Sequence, residues 1–382
     1  MEISILFEAQ LAHPTAEREH AVLKSCVEQA IFAEAMGFDR VWAVEHHSLR
    51  WYCHLTAPEI FLTWVAARTS RIRIGHGVVC MPFNYNHPVR VAERAAMLDV
   101  LSGGRLDLGA GRGGTRHEMA LFGVDVDRTP MEVREALQLI ASAWRSDDFE
   151  WHGEMLDIAL PPVGRHCILP RPVQQPHPPL FLACTSPETV ITAANYGVGA
   201  LVFAFGGMEE VRVRRQMYDD AIATRTGDEL VSTVTNNHLS ALCPSIILDD
   251  ADQAIGIGAR GQRFFTQSTL HWYAAGAPEP AEDTEDEDNV AFMRQQAKTI
   301  RAELLAKGFE FAPGIDPSVA YNIDHAYGSP KRAIEYVEGL QDAGADEILV
   351  LIQMGTVPHE VCMETIRHWG NTVIPYFRKK DG

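Results

Sequence analysis

Two apolar patterns alternate along the chain. Short apolar runs, the length of buried strands, are separated by longer stretches in which apolar residues recur every three or four positions. The runs predict strands at residues 3–7 and 40–44, around Ile72 and Ile74, and at Leu106, Leu108 and Ala110. Further strands are predicted at residues 180–183, 201–205, within 231–242 and at 347–352. The helical stretches cover residues 17–36, 58–68, 88–101, 129–144, 187–196, 208–224 and a region near 358–377. Punctuation supports these bounds: Gly37 follows the first helix, Pro88 suits a first helical position, and Gly103 and Gly104 stop the helix before them.

Two strands joined through a helix lie parallel in one sheet. Strand–helix alternation repeated eight times predicts an α/β fold, a closed eight-stranded parallel β/α (TIM-type) barrel, with an open doubly wound sheet as the alternative that counting leaves standing. The 382 residues then form a single domain, 1–382, with two departures. Residues 149–179 are a proline-rich insertion, with a hairpin expected at Trp151, His152, Gly153 and Glu154. Residues 275–289 hold seven acidic residues and no aliphatic larger than alanine, which predicts a mobile surface loop kept out of the core.

Composition narrows the functional classes. A formal net charge of −18 argues against a nucleic-acid partner, since phosphate binding needs excess Lys and Arg. The seven cysteines are scattered and contain no CxxC, the usage of reduced thiols and of a cytoplasmic protein. The start, MEISILFEAQ, has no leader pattern, and no apolar stretch is long enough for a membrane span.

Chemistry in such a barrel belongs at the C-terminal ends of the strands. His46 and His47 stand at the end of the second strand, and a histidine there can exchange protons near neutral pH. Only one of two neighbours on a strand can face the barrel mouth. The run GAGRGG satisfies GxGxxG with Gly109, Gly111 and Gly114, but the sequence after it breaks at Gly123 and Pro130, so a dinucleotide-binding reading is rejected. Arg112 in that run is a candidate phosphate clamp. Ser186 and Pro187 open a helix within TSPET (185–189), where free amides attract phosphate; a plain helix cap is the ordinary alternative. Gly77 brings backbone close to a neighbour or serves packing alone. A metal hydrolase would carry an HxH pair on the first strand, which has none, and His46, His76 and His117 would have to converge to bind a metal.

Four pieces in order carry a resemblance: VWAVEHH (41–47), HPVRVAERAAMLDVLSGGR (87–105), GAGRGG (109–114) and TSPET (185–189). Together the chain resembles the bacterial luciferase-like, flavin-dependent monooxygenases over nearly its whole length. The resemblance implies the barrel and a catalytic role for His46, leaving His47 structural. It implies reduced FMN as co-substrate, held by Val44, Gly77, Val78, Gly111, Arg112, Gly114, Thr185, Ser186 and Thr189, with a cis peptide between Gly77 and Val78. A second arginine of the luciferase pattern falls near Pro130 here, with Arg128 and Arg134 its neighbours. Oxygen would react at the flavin ring to give a hydroperoxide that oxidises a small organic substrate.

The partners implied are molecular oxygen, a separate flavin reductase and a second copy of the chain, paired through residues 58–68 and 88–101, where Ala66, Ala67, Ala92, Ala95 and Ala96 would allow close approach. The segment 275–289 lies where the family carries a lid. The alternatives are a deazaflavin-dependent hydride-transfer oxidoreductase on the same barrel, a non-catalytic flavin-binding protein and a metal-dependent hydrolase.

Overall fold

A strand buried on both faces reads as a continuous apolar run, and the apolar runs of this chain became the strands of a barrel. In the computed structural model, which describes residues 1–162, 164–308 and 317–381, the strands are β1 (Glu2–Phe7), β2 (Arg40–Ala43), β3 (Arg73–Cys80) and β4 (Leu106–Gly111). They continue as the hairpin β5 (Trp151–His152) and β6 (Asp157–Ile158), then β7 (Leu180–Cys184), β8 (Gly199–Val202), β9 (Leu239–Ile247), β10 (Ala326–Gly328) and β11 (Glu347–Leu351). Parallel pairing runs β1-β2-β3-β4-β7-β8-β9-β11, and β11 returns to β1, so eight strands close into a TIM-type barrel. The short β10 pairs with the last three residues of β9.

The helices surround this barrel. They are α1 (Ala16–Ala35), α2 (Pro58–Arg68), α3 (Pro88–Ser102), α4 (Arg116–Phe122), α5 (Thr129–Ala143) and α6 (Pro187–Tyr196). After them come α7 (Gly207–Thr224), α8 (Ala251–Tyr273), α9 (Asn289–Ala306), α10 (Pro330–Asp342), α11 (His359–His368) and α12 (Ile374–Asp381). None of the described helices is long and apolar enough to cross a membrane.

The departures from the predicted elements have physical reasons. Strand β8 starts at Gly199 because the Phe181 ring occupies the space a side chain there would need. It ends at Val202, so Phe203 and Phe205 leave the sheet and line the interior. Strand β9 begins at Leu239, eight residues after the start of the predicted window, because the fully buried run is LSALCPSII. Helix α8 escapes helical periodicity through its glycines. Gly258 admits the Tyr327 ring and Gly261 admits Met354 and Val357, contacts that a β-carbon would block. The predicted C-terminal helix is broken by a π-helical turn at Trp369–Val373, just ahead of Pro375, which cannot donate a helical hydrogen bond.

Two further segments show how their residues pack. Ala66, Ala92, Ala95 and Ala96 are buried within their own chain, packed among the residues of the core. The exposed apolar residues of α2 and α3 are instead Ile60, Trp64, Met97, Val100 and Leu101. In the acidic segment, Thr284 and Asn289 are buried, and the acids meet cations: Glu285 bonds Arg260, and Glu287 bonds Arg263 at 2.6 Å. The composition of a segment does not prevent its polar residues from docking where a neighbouring helix supplies the opposite charge.

Candidate active site

The C-terminal ends of the strands open into one cavity of about 640 Å³, the size of a small-molecule site. Of the residues named from the sequence, His46, Val44, Gly77, Val78, Gly111, Arg112, Gly114, Thr185 and Thr189 line it, and Ser186 does not. The Gly77–Val78 peptide is cis. A β-carbon on Gly114 would collide with His46 and Tyr273, so glycine there lets the loop after β4 close onto the histidine.

His46 is held by an acid. Its Nδ1 lies 3.0 Å from Glu118 Oε1, and its backbone N–H bonds Leu55 O at 3.2 Å. Glu118 is fully buried and holds two elements at once. Its second oxygen accepts from Thr115 N and Thr115 Oγ1, both at 2.9 Å, in the capping box that starts α4. Burial alone would lower the pKa of His46; the bond and charge of Glu118 outweigh it and hold the imidazole above its ordinary range. Burial likewise pushes Glu118 up, and His46, the His47 amide and Thr115 bring it below the carboxylate range. His47 turns away. Its Nε2 lies 3.0 Å from Glu45 Oε1, and its ring stacks on Tyr85 and meets Phe122 edge-on.

Arg112 lines the same cavity, is exposed and makes no ion pair or hydrogen bond with a described residue. After β7, Ser186 and Thr189 close a capping box at the start of α6, with Thr189 Oγ1 donating to Ser186 O at 2.8 Å. The helix therefore satisfies part of this turn itself. Glu188, whose carboxylate is lowered by its own backbone amide and by Ser186, also lines the cavity there. Arg128 pairs with Glu132, and Arg134 donates to Asp228 O; neither lines the cavity.

Sequence reasoning missed several lining residues. Glu8 and Tyr52 stand beside His46, and Phe203, Phe205, Phe265 and Tyr273 form an aromatic wall. Glu8 immediately follows an apolar strand, so the rule that singled out His46 applied to it as well. Phe265 and Tyr273 lie on α8, the helix that periodicity did not show.

His46, His76 and His117 do not converge. His76 points at the helical layer near Arg94, where burial and that charge drive its pKa down to about 3, and His117 packs on Trp272. Among the described residues the one acid–histidine group with metal-like spacing is Glu2, His238 and Glu347, at the opposite end of the barrel, and Arg40 bonds both acids. A second hollow of about 670 Å³ lies outside the barrel between α5, the β5–β6 hairpin and residues 227–233. It contains neither His46 nor any glycine of GAGRGG, so the barrel mouth is the candidate site.

A family model described as luciferase-like monooxygenase matches residues 1–347. The chain belongs to the luciferase-like monooxygenase family. It is 32% identical over 180 residues to the oxygenase component of the flavin-dependent trigonelline monooxygenase of Acinetobacter baylyi, covering 46% of this chain and 47% of that protein. It is also 32% identical over 192 residues to an F420-dependent glucose-6-phosphate dehydrogenase of Amycolatopsis mediterranei, covering 49% and 55% respectively. These alignments span about half the length of each curated relative. Among solved structures, monooxygenase RslO1 of Streptomyces bottropensis superimposes with a TM-score of 0.73 over 99% of this chain and all of that one, at 22% identity. That likeness establishes the barrel shared by luciferase-like proteins.

Proposed function

We propose that the protein is the oxygenase of a two-component system, using reduced FMN and molecular oxygen to oxidise a small organic substrate. One observation carries this reading: a single cavity joins an uncommitted arginine, Arg112, to an acid-paired histidine, His46. The residue types fit the cofactor. Arg112 and the hydroxyls of Thr185 and Thr189 would hold the phosphate, with Ser186 capping the turn behind them. Val44, Gly77, Val78, Gly111 and Gly114, small or apolar and free of competing charge, would hold the ring. Reduced FMN bound there supplies the electrons that activate oxygen.

The remaining work falls to the chain. His46 has Nδ1 committed to Glu118, which leaves Nε2 as the atom that exchanges a proton with the reacting groups. Phe203, Phe205 and Phe265 exclude water from the reaction space. The acidic segment 275–289 follows Tyr273 directly and would serve as a lid. A second copy of the chain would cover Ile60, Trp64, Met97 and Leu101, which project from α2 and α3. No dinucleotide-binding module stands in the sequence, since the helix after GAGRGG ends at Gly123. A separate reductase would therefore supply the reduced flavin.

The second reading is a deazaflavin-dependent oxidoreductase, favoured by the Amycolatopsis relative of equal identity. Anaerobic titration decides between them: reduced FMN should bind more tightly than a reduced deazaflavin, and oxygen should then be consumed in step with substrate. Pure protein with FMN and NADH should leave NADH untouched until a reductase is added. Tighter deazaflavin binding, or steady NADH oxidation by the protein alone, overturns the proposal. Sedimentation at the 42.4 kDa chain mass, not twice it, removes the dimer.

A further inference from the structure

One ionisable group in the cavity has no part in the chemistry above. Glu8 is the first residue past β1, and it is 1% exposed. Its Oε1 accepts a hydrogen bond from Tyr52 Oη at 3.2 Å. Its Oε2 is buried and has no hydrogen-bond partner among the described residues. The residue borders the cavity beside His46 and the aromatic wall.

We propose that Glu8 and Tyr52 form the substrate anchor, in which a neutral Glu8 carboxyl donates its Oε2–H to an acceptor oxygen of an uncharged substrate. The inference rests on the flavin reading, because it assigns Arg112 to the cofactor and Glu8 to the substrate.

Geometry fixes which oxygen carries the proton. The Tyr52 phenol is held well above its ordinary range, first by burial and then by Glu8, so it acts as a donor. A carboxyl that accepts on Oε1 carries its hydrogen on Oε2, the oxygen without a protein partner. Burial pushes Glu8 up to about 7, against the opposing effects of His46 and of the Tyr52 bond. A substrate that expels the remaining water drives the same way. A carboxyl with only a structural role would have both oxygens paired, as nearly all buried polar atoms are. The backbone points the same way. Ala9, next in the chain, sits at φ 52°, a conformation that alanine rarely adopts and that collects at functional sites.

The neighbours set the rest of the specificity. Phe205 and Phe265 lie 5.4 Å apart between ring centres, and Phe203 packs against both, which suits a flat or apolar substrate body. His46, whose pKa is raised, is the nearest cation-forming group, so a cationic substrate would meet a like charge.

Acetophenone, ethylbenzene and 1-phenylethylammonium share one body and differ in the group presented. Titrated calorimetrically into the protein loaded with oxidised FMN, acetophenone should bind about tenfold more tightly than ethylbenzene, the worth of one buried hydrogen bond. Glu8→Leu should bring the two within about twofold, while Glu8→Gln, whose amide still donates, should keep most of the preference. Should the leucine variant fail to fold, the infrared difference spectrum of the wild type decides. Acetophenone should shift the C=O band of a protonated carboxyl, and that shift should vanish in Glu8→Gln. Equal binding of acetophenone and ethylbenzene, no acetophenone binding, tightest binding of the ammonium, or no carboxyl shift overturns the anchor. FMN affinity is read from flavin fluorescence in the same samples. Its absence sinks the flavin reading, whereas intact FMN binding without an acetophenone preference sinks the anchor alone.

Discussion

The two ends of the barrel treat charge in opposite ways. At the N-terminal end Arg40 bonds Asp107 at 2.7 Å, Glu347 at 2.6 Å and Glu2 at 2.7 Å. Arg73 grips Asp107 with two further bonds, and Glu347 also accepts from Trp42, from Ser4 and from His238. Each of these ionisable side chains has a partner. At the C-terminal end, just past β1 and β11, Glu8 Oε2, Gln10 Nε2 and Gln353 Oε1 are buried without one, and Arg112 stands uncommitted. Pairing fixes a charge in place and uses up its capacity to bind anything else. A barrel can therefore separate the end that holds the fold from the end that meets ligands.

The largest expected effect breaks the closed end. Arg40→Met leaves Glu347 and Asp107 buried with one cation fewer, and removing one partner from a buried network costs about 3–5 kcal/mol. Denaturant unfolding should register that loss, with FMN affinity unchanged in protein that remains folded. Unchanged stability would mean that the network contributes nothing to the fold.

The open end carries a stability term of its own, and its sign is testable. Glu8 keeps its proton up to about pH 7 in the folded state and loses it near the ordinary 4.5 when unfolded. Its contribution is therefore fully present below the unfolded value and is lost as pH rises through 7, a change of about 3 kcal/mol at most. The groups facing Glu8 are His46, Tyr52, Cys53 and Tyr273, and the last three stay neutral across this window because burial raises each. Glu8→Gln should gain on the wild type from about pH 4.5 to about pH 7 in thermal unfolding and level off above that. Parallel curves would place Glu8 at an ordinary pKa.

Function at the open end should depend on His46 more than stability does. His46→Ala should cut turnover about a hundredfold, the usual worth of a positioned proton carrier, and leave FMN affinity nearly intact. Full turnover in the variant removes the residue from the chemistry. Next in size, Arg112→Ala should weaken FMN about tenfold and riboflavin, which lacks the phosphate, scarcely at all. Equal weakening of both would make Arg112 a support of the loop.

How much of this was legible follows from which signals are local. Strand ends, helix caps and glycine turns are written in adjacent residues, so His46, Arg112 and the α6 cap at Ser186 could be read and eight strands counted. The partners of those residues are not adjacent. Glu118 reaches His46 across 72 positions, and its role in the α4 capping box hides the bond it makes to the histidine. Tyr273 and Phe265 lie on a helix whose glycines serve close packing against Tyr327 and Met354, and that use of glycine imitates a loop. The alanines of α2 and α3 are ambiguous in sequence: small residues suit an interface or close packing on their own barrel, and burial places Ala66, Ala92, Ala95 and Ala96 under their own helices and leaves Ile60 and Trp64 outside.

The smallest effect sharpens the comparison most, because it tests whether the open end is kept open on purpose. Glu188 is the acid of the α6 turn, exposed and bordering the same cavity as Arg112. Its carboxylate takes the free amide at the start of that helix, where a phosphate would otherwise bind. If FMN places its phosphate there, Glu188 competes with it and repels it, and Glu188→Gln should tighten FMN about threefold at low salt. The gain should shrink as ionic strength rises, since the repulsion acts through solvent. Riboflavin affinity should not change. FMN binding that weakens in Glu188→Gln would show that the carboxylate supports the turn instead of crowding it, and the phosphate would then have to lie on the Arg112 side alone.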